Sequence, residues 1–183
     1  MKVAKTIRHK VLNHASIFDE TIHVYNEALS FIIEVIDNEV EHVDAYSTKE
    51  MTNLIERLIH ATKSNPNPKY TEFNQRFYKF PSYFRRAAIA TAFGKVKSYR
   101  SLYKNWETEK QIALENGRKF NKQPPTKQLI HKEFPVLYKG NMFKRTSDKT
   151  ACIKAFVKND WVWVDVVFRP QDVYKRGVHE WKE

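Results

Sequence analysis

The sequence predicts an α+β protein, in which both ends of the chain build one small antiparallel β-barrel or sheet around a helical-bundle insertion. Three patterns lead to this fold class. Residues 1–12 alternate between apolar and basic side chains, as a half-buried strand does. Most of residues 17–106 repeat apolar side chains at spacings of three and four, which is typical of amphipathic helices. Residues 150–168 return to alternation.

The first predicted helix covers residues 17–43 and carries a continuous apolar stripe. Ser16 and Asp19 precede it with the spacing of a capping box in which Asp takes the acidic role. A coiled-coil homodimer through this helix is one interpretation of the stripe. The repeat lasts under four heptads, however, which favours packing against the chain's own helices.

A second helix and an aromatic stripe follow. Ser47 and Glu50 form another capping-box pattern ahead of an apolar stripe. The prolines within residues 64–68 end that helix, because each proline removes an N–H donor and restrains the residue before it. Aromatic side chains at helical spacing then lead through residues 70–80 into the central helix.

The central helix is predicted from Ser82 to Trp106. Ser82 follows a proline, and its side chain can cap the helix by accepting a backbone N–H. The segment contains no Asp or Glu, and Lys97, Arg100 and Lys104 share one face. An apolar stripe, a basic face and several aromatics are typical of a surface that meets phosphates and bases. A buried helix with a solvated basic face fits the same pattern, and Asn116-Gly117 is a predicted helix stop further on.

Strand periodicity begins near residue 134. The predicted strands are 134–138, 142–145, 150–157 and 161–168, with turns at 139–141 and 158–160. A lone N-terminal strand would leave its backbone groups unpaired, so we expect it to join these strands. The predicted domains are residues 1–14 with 133–170 as a β-domain, residues 15–132 as the helical insertion, and residues 171–183 as a charged tail.

The charge of the chain is unevenly distributed. The formal net charge is +11. Residues 1–80 hold 10 Lys or Arg and 11 Asp or Glu, a net of −1, whereas residues 81–183 hold 22 and 10, a net of +12. This division favours an anionic partner on the C-terminal half, because each neutralised phosphate releases counterions. A protein that is merely basic is the alternative.

The sequence carries no recognisable catalytic or metal-binding pattern. Cys152 is the only cysteine, which rules out an intramolecular disulfide and a cysteine-rich zinc site, and we expect it to be a small core residue. No two of the seven histidines are spaced i,i+4, and neither phosphate-loop pattern occurs. The N-terminus lacks the apolar segment of a signal peptide, and no apolar run is long enough to span a membrane. These features predict a cytoplasmic protein, associated with the nucleoid when bound to DNA.

Aromatic side chains, including Trp161 and Trp163, lie among basic ones throughout the C-terminal half. Cations attract phosphates, while flat rings stack on exposed bases. The turn at residues 139–141 is a candidate for reading bases, because Gly140 allows close approach and the amide of Asn141 can pair with adenine. The basic residues concerned include Arg85, Arg86, Lys97, Arg100, Lys139, Lys144 and Arg145.

Three segments resemble one protein family. PSYFRRAAIATAFGKVKSYRS, FPVLYKGNMFK and WVWVDVVFRP, together with the order of elements, are similar to the N-terminal half of TnpB, the OrfB-type transposon proteins. TnpB proteins are RNA-guided DNA endonucleases related to type V CRISPR effectors. The resemblance implies a wedge-like β-barrel and a helical recognition domain that together grip guide RNA, target DNA and a short target-adjacent motif.

The resemblance also implies roles for individual residues. Tyr83, Arg86 and Asn141 fall where the family reads the adjacent motif. Phosphate contacts are implied for Lys97, Arg100, Lys104, Lys144 and Arg145, and we include Arg85 and Lys139 as further basic candidates. The family's RuvC-like nuclease carboxylates and four-cysteine zinc ribbon have no counterpart here. We therefore expect no cofactor in this chain, since the divalent metal and zinc belong to a C-terminal half that would follow residues 171–183, and no nuclease activity from this chain alone.

Two other functions fit the same residues. A stand-alone DNA-binding regulator would place the central helix in a major groove and dimerise through residues 17–43. A helical interaction protein would carry its basic charge incidentally and would not bind nucleic acid at moderate salt.

Overall fold

The fold is α+β, with helices and a four-stranded antiparallel sheet. The structure, a computed structural model, describes residues 9–13, 15–128, 130–158 and 160–170. It divides into two compact units. The sheet unit contains the described residues of ranges 1–19 and 138–183, and the helical unit spans residues 20–137. The predicted domains were divided at residues 14 and 133.

The sheet unit joins the two ends of the chain, as predicted. Its strands are β1 (His9–Val11), β2 (Phe143–Arg145), β3 (Thr150–Val157) and β4 (Asp160–Pro170). Their order is β1-β4-β3-β2, and every neighbouring pair is antiparallel. Over the described residues the sheet is open, since its order runs from edge strand β1 to edge strand β2. One face buries Ile153, Val164 and Val166, as the alternation of side chains along a strand requires.

The predicted strand at residues 134–138 is wrong. Those residues are irregular, and β2 pairs with β3 instead, Phe143 lying opposite Ile153. Pro135 cannot donate to a ladder. In addition, the carbonyl of Tyr138 is occupied by the backbone N–H groups of residues 141–143 in the following turn. That turn is the one predicted from Gly140, whose φ is 85°.

The helical unit is built from α1 (Asp19–Glu39), α2 (Thr48–Ile59), α3 (Glu72–Arg76) and α4 (Ser82–Glu115). The apolar stripe of α1 is buried, with Leu29, Ile32 and Ile36 fully enclosed. Helix α1 ends four residues earlier than predicted, and a short 3₁₀ helix, Val43–Ala45, follows it. The capping box of Ser47 and Glu50 at the start of α2 is confirmed in both directions.

Helix α4 is longer than predicted, with 34 residues. Its cap is Pro81, whose extended backbone precedes the helix, so the prediction that Ser82 caps it is wrong. The predicted stop is confirmed. Gly117 takes a φ of 66° and donates to the carbonyl of Leu114, while Arg118 donates to that of Ala113, which is a Schellman ending. The first half of α4 packs in the core, and the second half is largely exposed.

The segment after α4 is tied back to the helical unit by polar contacts. The indole Nε1–H of Trp106 donates to the carbonyl of Lys122. Further along, Asn26 exchanges two hydrogen bonds with the backbone of Glu133, and Lys95 pairs with the Glu133 carboxylate at 2.9 Å. Among the helices of the described residues, none combines the length and apolar character needed to cross a membrane.

Candidate nucleic-acid interface

The start of α4 presents two of its three candidate residues to solvent. Arg85 is buried, and its guanidinium lies 3.3 Å from Oε1 of Glu56. Burial lowers the pKa of Arg85, and the Glu56 carboxylate partly offsets this effect. Arg86 is exposed, although its Nε also reaches Glu56 at 3.4 Å, and Tyr83 is half-buried. The geometry therefore gives Arg85 a structural role within the helical unit.

The predicted basic face of α4 is partly used inside the protein. Lys97 lies 3.2 Å from Asp44. Arg100 donates to the carbonyls of Val40 and Glu41 at 2.6 Å each, and approaches Asp37 at 3.3 Å. These carbonyls follow the C-terminal end of α1, where a cation stabilises the helix dipole.

Lys104 is the third residue of that face, and it is exposed. Contact of Lys97, Arg100 and Lys104 with phosphate stays a prediction. A phosphate would have to draw Lys97 and Arg100 away from the partners they have in the helical unit.

The turn and strand β2 hold the remaining candidates. Lys139 and Asn141 are exposed at the turn. Arg145 donates to the carbonyls of Ser147 and Asp148, at 3.0 Å each, and so orders the loop before β3. Lys144 points away from the core, onto the opposite face of the sheet.

This opposite face, which we call the basic-aromatic face, brings together side chains from all four strands. Lys144 shares a row with Cys152 and Asp165, Lys154 lies opposite Trp163, and Phe156 lies opposite Trp161. At the β1 edge, Lys10 lies opposite Arg169. Period-two alternation places all of these residues on the side that does not carry Ile153, Val164 and Val166. The face comprises Lys10, Lys144, Cys152, Lys154, Phe156, Trp161, Trp163, Asp165 and Arg169.

Trp163 occupies the middle of the basic-aromatic face and is 39% exposed. The Nζ of Lys144 lies 4.4 Å from the centroid of its ring, and the Nζ of Lys154 lies 5.9 Å away. Both distances are within the range of cation–π attraction. The arrangement holds two ammonium groups beside one exposed ring.

Among the described residues of this face, Asp165 is the only carboxylate, and it accepts a hydrogen bond from a neighbouring side chain. The thiol of Cys152 donates to its Oδ1 at 2.7 Å. This hydrogen bond raises the pKa of Cys152, with desolvation adding to the effect. Cys152 is therefore half-buried beside a polar partner, and the expectation of a simple core residue is wrong.

Sequence reasoning did not select every residue of this face. Trp163 was recognised as an aromatic among basic residues, but Lys10, Lys154 and Arg169 were not among the candidates. The alternation of residues 150–157 places Lys154 on the same strand face as Cys152, so the sequence pattern alone indicates that the two share a face. What the sequence lacked was the register that sets Lys154 opposite Trp163.

The described residues contain no cluster of potential metal ligands. Within ranges 9–13, 15–128, 130–158 and 160–170, no three His, Cys, Asp or Glu side chains are grouped to hold a metal ion. His131 is a buried histidine of the helical unit. Its pKa is lowered because burial penalises the imidazolium and the nearby Lys95 ammonium repels it, while Glu133 opposes the shift.

Comparison with known proteins gives a family but no activity. The Aq_aa04 family matches residues 5–157. One relative, the uncharacterized protein aq_aa04 of Aquifex aeolicus (strain VF5), is 29% identical over 133 residues, which cover 66% of this chain and 70% of the relative. No solved structure is significantly similar. The resemblance to TnpB accordingly rests on the sequence segments quoted above. With most of its length matched by one family, the chain belongs to the Aq_aa04 family.

Proposed function

We propose that this chain is a nucleic-acid-binding module that binds RNA through the basic-aromatic face of its sheet. The observation that carries the proposal is Trp163, an exposed indole flanked by the ammonium groups of Lys144 and Lys154. An unpaired base can stack on the ring while the two lysines turn toward the adjoining phosphates.

The charge of the face supports the same proposal. It gathers four cations, Lys10, Lys144, Lys154 and Arg169, against the carboxylate of Asp165. Because the Cys152 thiol donates to Asp165, none of the four is needed to satisfy that carboxylate. A polyanion that covers the face would release the counterions of these cations.

In its finer form, the proposal makes the chain the binding half of a TnpB/OrfB-type RNA-guided DNA endonuclease. The sheet then corresponds to the wedge-like barrel, and the helical unit to the recognition insertion that contacts guide RNA and target DNA. Tyr83, Arg86 and Asn141 would read the target-adjacent motif. The supporting feature is the pairing of β1 with β4, two strands between which the helical unit lies in the sequence. Nuclease chemistry would belong to a RuvC-like domain whose motifs this sequence does not contain.

The dimeric regulator receives less support from the packing of α1. A dimer through residues 17–43 needs an exposed apolar seam on that helix. Leu29, Ile32, Val35 and Ile36 are instead buried inside the chain. The apolar stripe that prompted the alternative is thus used in forming the helical unit.

The proposal is tested by measuring RNA affinity in a Trp163→Leu variant. Fluorescence anisotropy with a labelled structured RNA, across a salt series, should show affinity about tenfold weaker, because stacking contributes roughly 1–3 kcal/mol per base. Leucine keeps an apolar side chain but removes the flat ring. The matched control is Tyr78→Leu, which alters a 70% exposed aromatic on the helical unit and should leave affinity unchanged.

Three results would overturn the proposal that the basic-aromatic face binds RNA. Equal RNA affinity for Trp163→Leu and the wild type would show that the face is not used. Tight binding of duplex DNA without RNA would favour the regulator. An absence of nucleic-acid binding at moderate salt would favour the helical interaction protein.

A further inference from the structure

We propose that the exposed half of α4 carries a second site, which binds single-stranded RNA along a series of aromatic rings. We call this series the ring ladder, and it consists of Tyr99, Tyr103, Trp106 and Phe120. The site lies wholly within the helical unit and shares no residue with the basic-aromatic face, so it extends the proposed function.

The four rings form one continuous surface. Successive ring centroids are 6.1, 5.6 and 5.9 Å apart. All four side chains are half-exposed, although aromatic rings usually reach the core of a domain. Helix α4 buries its first half through Ile89, Phe93 and Val96, and the ladder begins where that burial ends. The rings are therefore available to a ligand along most of their length.

The ring of Trp106 is held in place by a hydrogen bond and by a neighbouring ring. The Nε1–H of Trp106 donates to the backbone carbonyl of Lys122 at 2.9 Å, and Phe120 packs edge-on against the indole. Lys122 is itself fixed by a 2.6 Å ion pair with Glu109. An anchored ring loses little conformational entropy when a base stacks on it, which favours binding.

Cations accompany the rings. Lys110 lies 5.1 Å from the Trp106 centroid, and Lys104 is exposed one position after Tyr103. Lys127 lies 5.9 Å from the Tyr99 centroid and also pairs with the Asp37 carboxylate, which a phosphate would have to replace. Single-strand recognition has two components, aromatic rings on which bases stack and nearby cations that bind the phosphates. A duplex would not use the rings, because its bases are already stacked on one another.

Glu107 selects RNA over DNA. It lines two shallow concavities, of about 300 and 390 Å³, on either side of Tyr103 along the ladder. Lys104 and Lys110 are its i−3 and i+3 neighbours, so the carboxylate lies between two phosphate-binding cations on one helix face. An ionised carboxylate repels phosphate but accepts a hydrogen bond from a ribose 2′-hydroxyl, the group that deoxyribose lacks.

The test compares a labelled 12-nucleotide oligouridylate with the matching oligodeoxyuridylate, which differs only in the 2′-hydroxyl. We expect the full chain to prefer the ribose form by roughly five- to tenfold. Tyr103→Leu should weaken oligouridylate binding roughly tenfold by removing one stacking ring. Glu107→Ala should abolish the preference. The matched control is Glu115→Ala, which removes an equal charge from the last residue of α4 and should keep the preference.

Each possible outcome decides the matter. Unchanged affinity in Tyr103→Leu, equal binding of the two oligonucleotides, or a preference that persists in Glu107→Ala would each overturn the ring ladder as an RNA site. Repeating the titrations in Trp163→Leu separates this inference from the proposed function. If the Trp163→Leu variant still binds oligouridylate, the ring-ladder site is supported even if the sheet does not bind structured RNA. If Trp163→Leu loses oligouridylate binding and Tyr103→Leu does not, the sheet remains a binding site and the ring ladder is rejected as one.

Discussion

His131 shows how burial changes the chemistry of one side chain. It is 9% exposed, and its Nδ1 has no hydrogen-bond partner among the described residues. The groups facing it are the Lys95 ammonium, which disfavours the imidazolium, and the Glu133 carboxylate, which favours it. Because desolvation and Lys95 together outweigh Glu133, the folded protein holds a neutral ring that the unfolded chain protonates more readily.

This residue should make stability fall as the pH is lowered. The pKa of His131 lies below its ordinary value of 6.5 in the folded state, so below that pH the unfolded chain binds the additional proton. Stability is then complete above pH 6.5 and is lost as the pH falls through the folded pKa. Thermal melting at pH 7.5 and pH 5 should show a smaller drop for His131→Gln than for the wild type.

The control for that measurement is His42→Gln, because His42 is a solvent-exposed histidine. The melting temperature of His42→Gln should fall between pH 7.5 and pH 5 by as much as that of the wild type. A wild-type drop that persists unchanged in His131→Gln would assign the pH dependence to other groups.

Residue types were easier to predict than the partners of each residue. The sequence identifies Arg85 and Arg100 as basic residues on an amphipathic helix, and both are. It does not show that Arg85 meets Glu56, 29 residues away, or that Arg100 meets Asp37, 63 residues away. Those contacts depend on how α4 packs against α1 and α2, which no local pattern encodes. A basic helical face alone therefore does not distinguish cations that bind phosphate from cations that pair with carboxylates of the same chain.

At the scale of the element, α4 offers two glycines with opposite requirements. Gly117 ends the helix with a positive φ, and Gly94 lies in its interior with open space around the position of a Cβ. An L-residue at positive φ costs about 1–2 kcal/mol. Glycine inside a helix costs roughly 0.5–1 kcal/mol relative to alanine.

We therefore expect Gly117→Ala to lower the free energy of unfolding by about 1 kcal/mol and Gly94→Ala to raise it by roughly 0.5–1 kcal/mol. Urea denaturation followed by circular dichroism measures both. Each variant is the control for the other, since each adds one methyl group, Gly94→Ala inside α4 and Gly117→Ala just after its end. Shifts of the same sign would contradict the helix ending described for Gly117.

Elements with chemically specific ends were the ones predicted well. The capping box at Ser47 and the stop at Gly117 each depend on residues within one turn of the chain, so the sequence contains the whole reason for them. The strand predicted at 134–138 failed because its apolar residues satisfy a strand pattern, whereas its hydrogen bonds depend on a turn that captures the Tyr138 carbonyl. Short apolar runs are ambiguous in this way.

At the scale of the whole molecule, the helical unit has a self-contained core. Tyr25, Phe73, Phe84 and Ile89 are fully buried, and all come from residues 20–137. We expect residues 20–137 produced alone to be helical by circular dichroism and to melt cooperatively. Residues 138–183 produced alone should not fold stably, since they lack β1, the partner of β4. A fragment 20–137 that melts without cooperativity would contradict this division.

The overall topology was predictable because backbone pairing leaves few choices. An isolated three-residue strand such as β1 cannot persist alone, so its union with the C-terminal strands followed from hydrogen-bond requirements. The shape of the sheet did not follow from them. An open sheet and a closed barrel place the same alternating residues inside, and they differ in whether the edge strands meet, which alternation does not encode.

The pairing of β1 with β4 also determines when during translation the sheet can form. Residues 9–11 are synthesised before their partners at 168–170, which follow 157 to 161 positions later. At roughly 5–20 residues per second, the newborn strand waits on the order of 10–30 s with its backbone uncovered. The helices between them can assemble during that interval. A nascent chain of this protein therefore exposes an unpaired strand until β4 has been synthesised, and its yield in the cell should depend on chaperones that act at the ribosome exit.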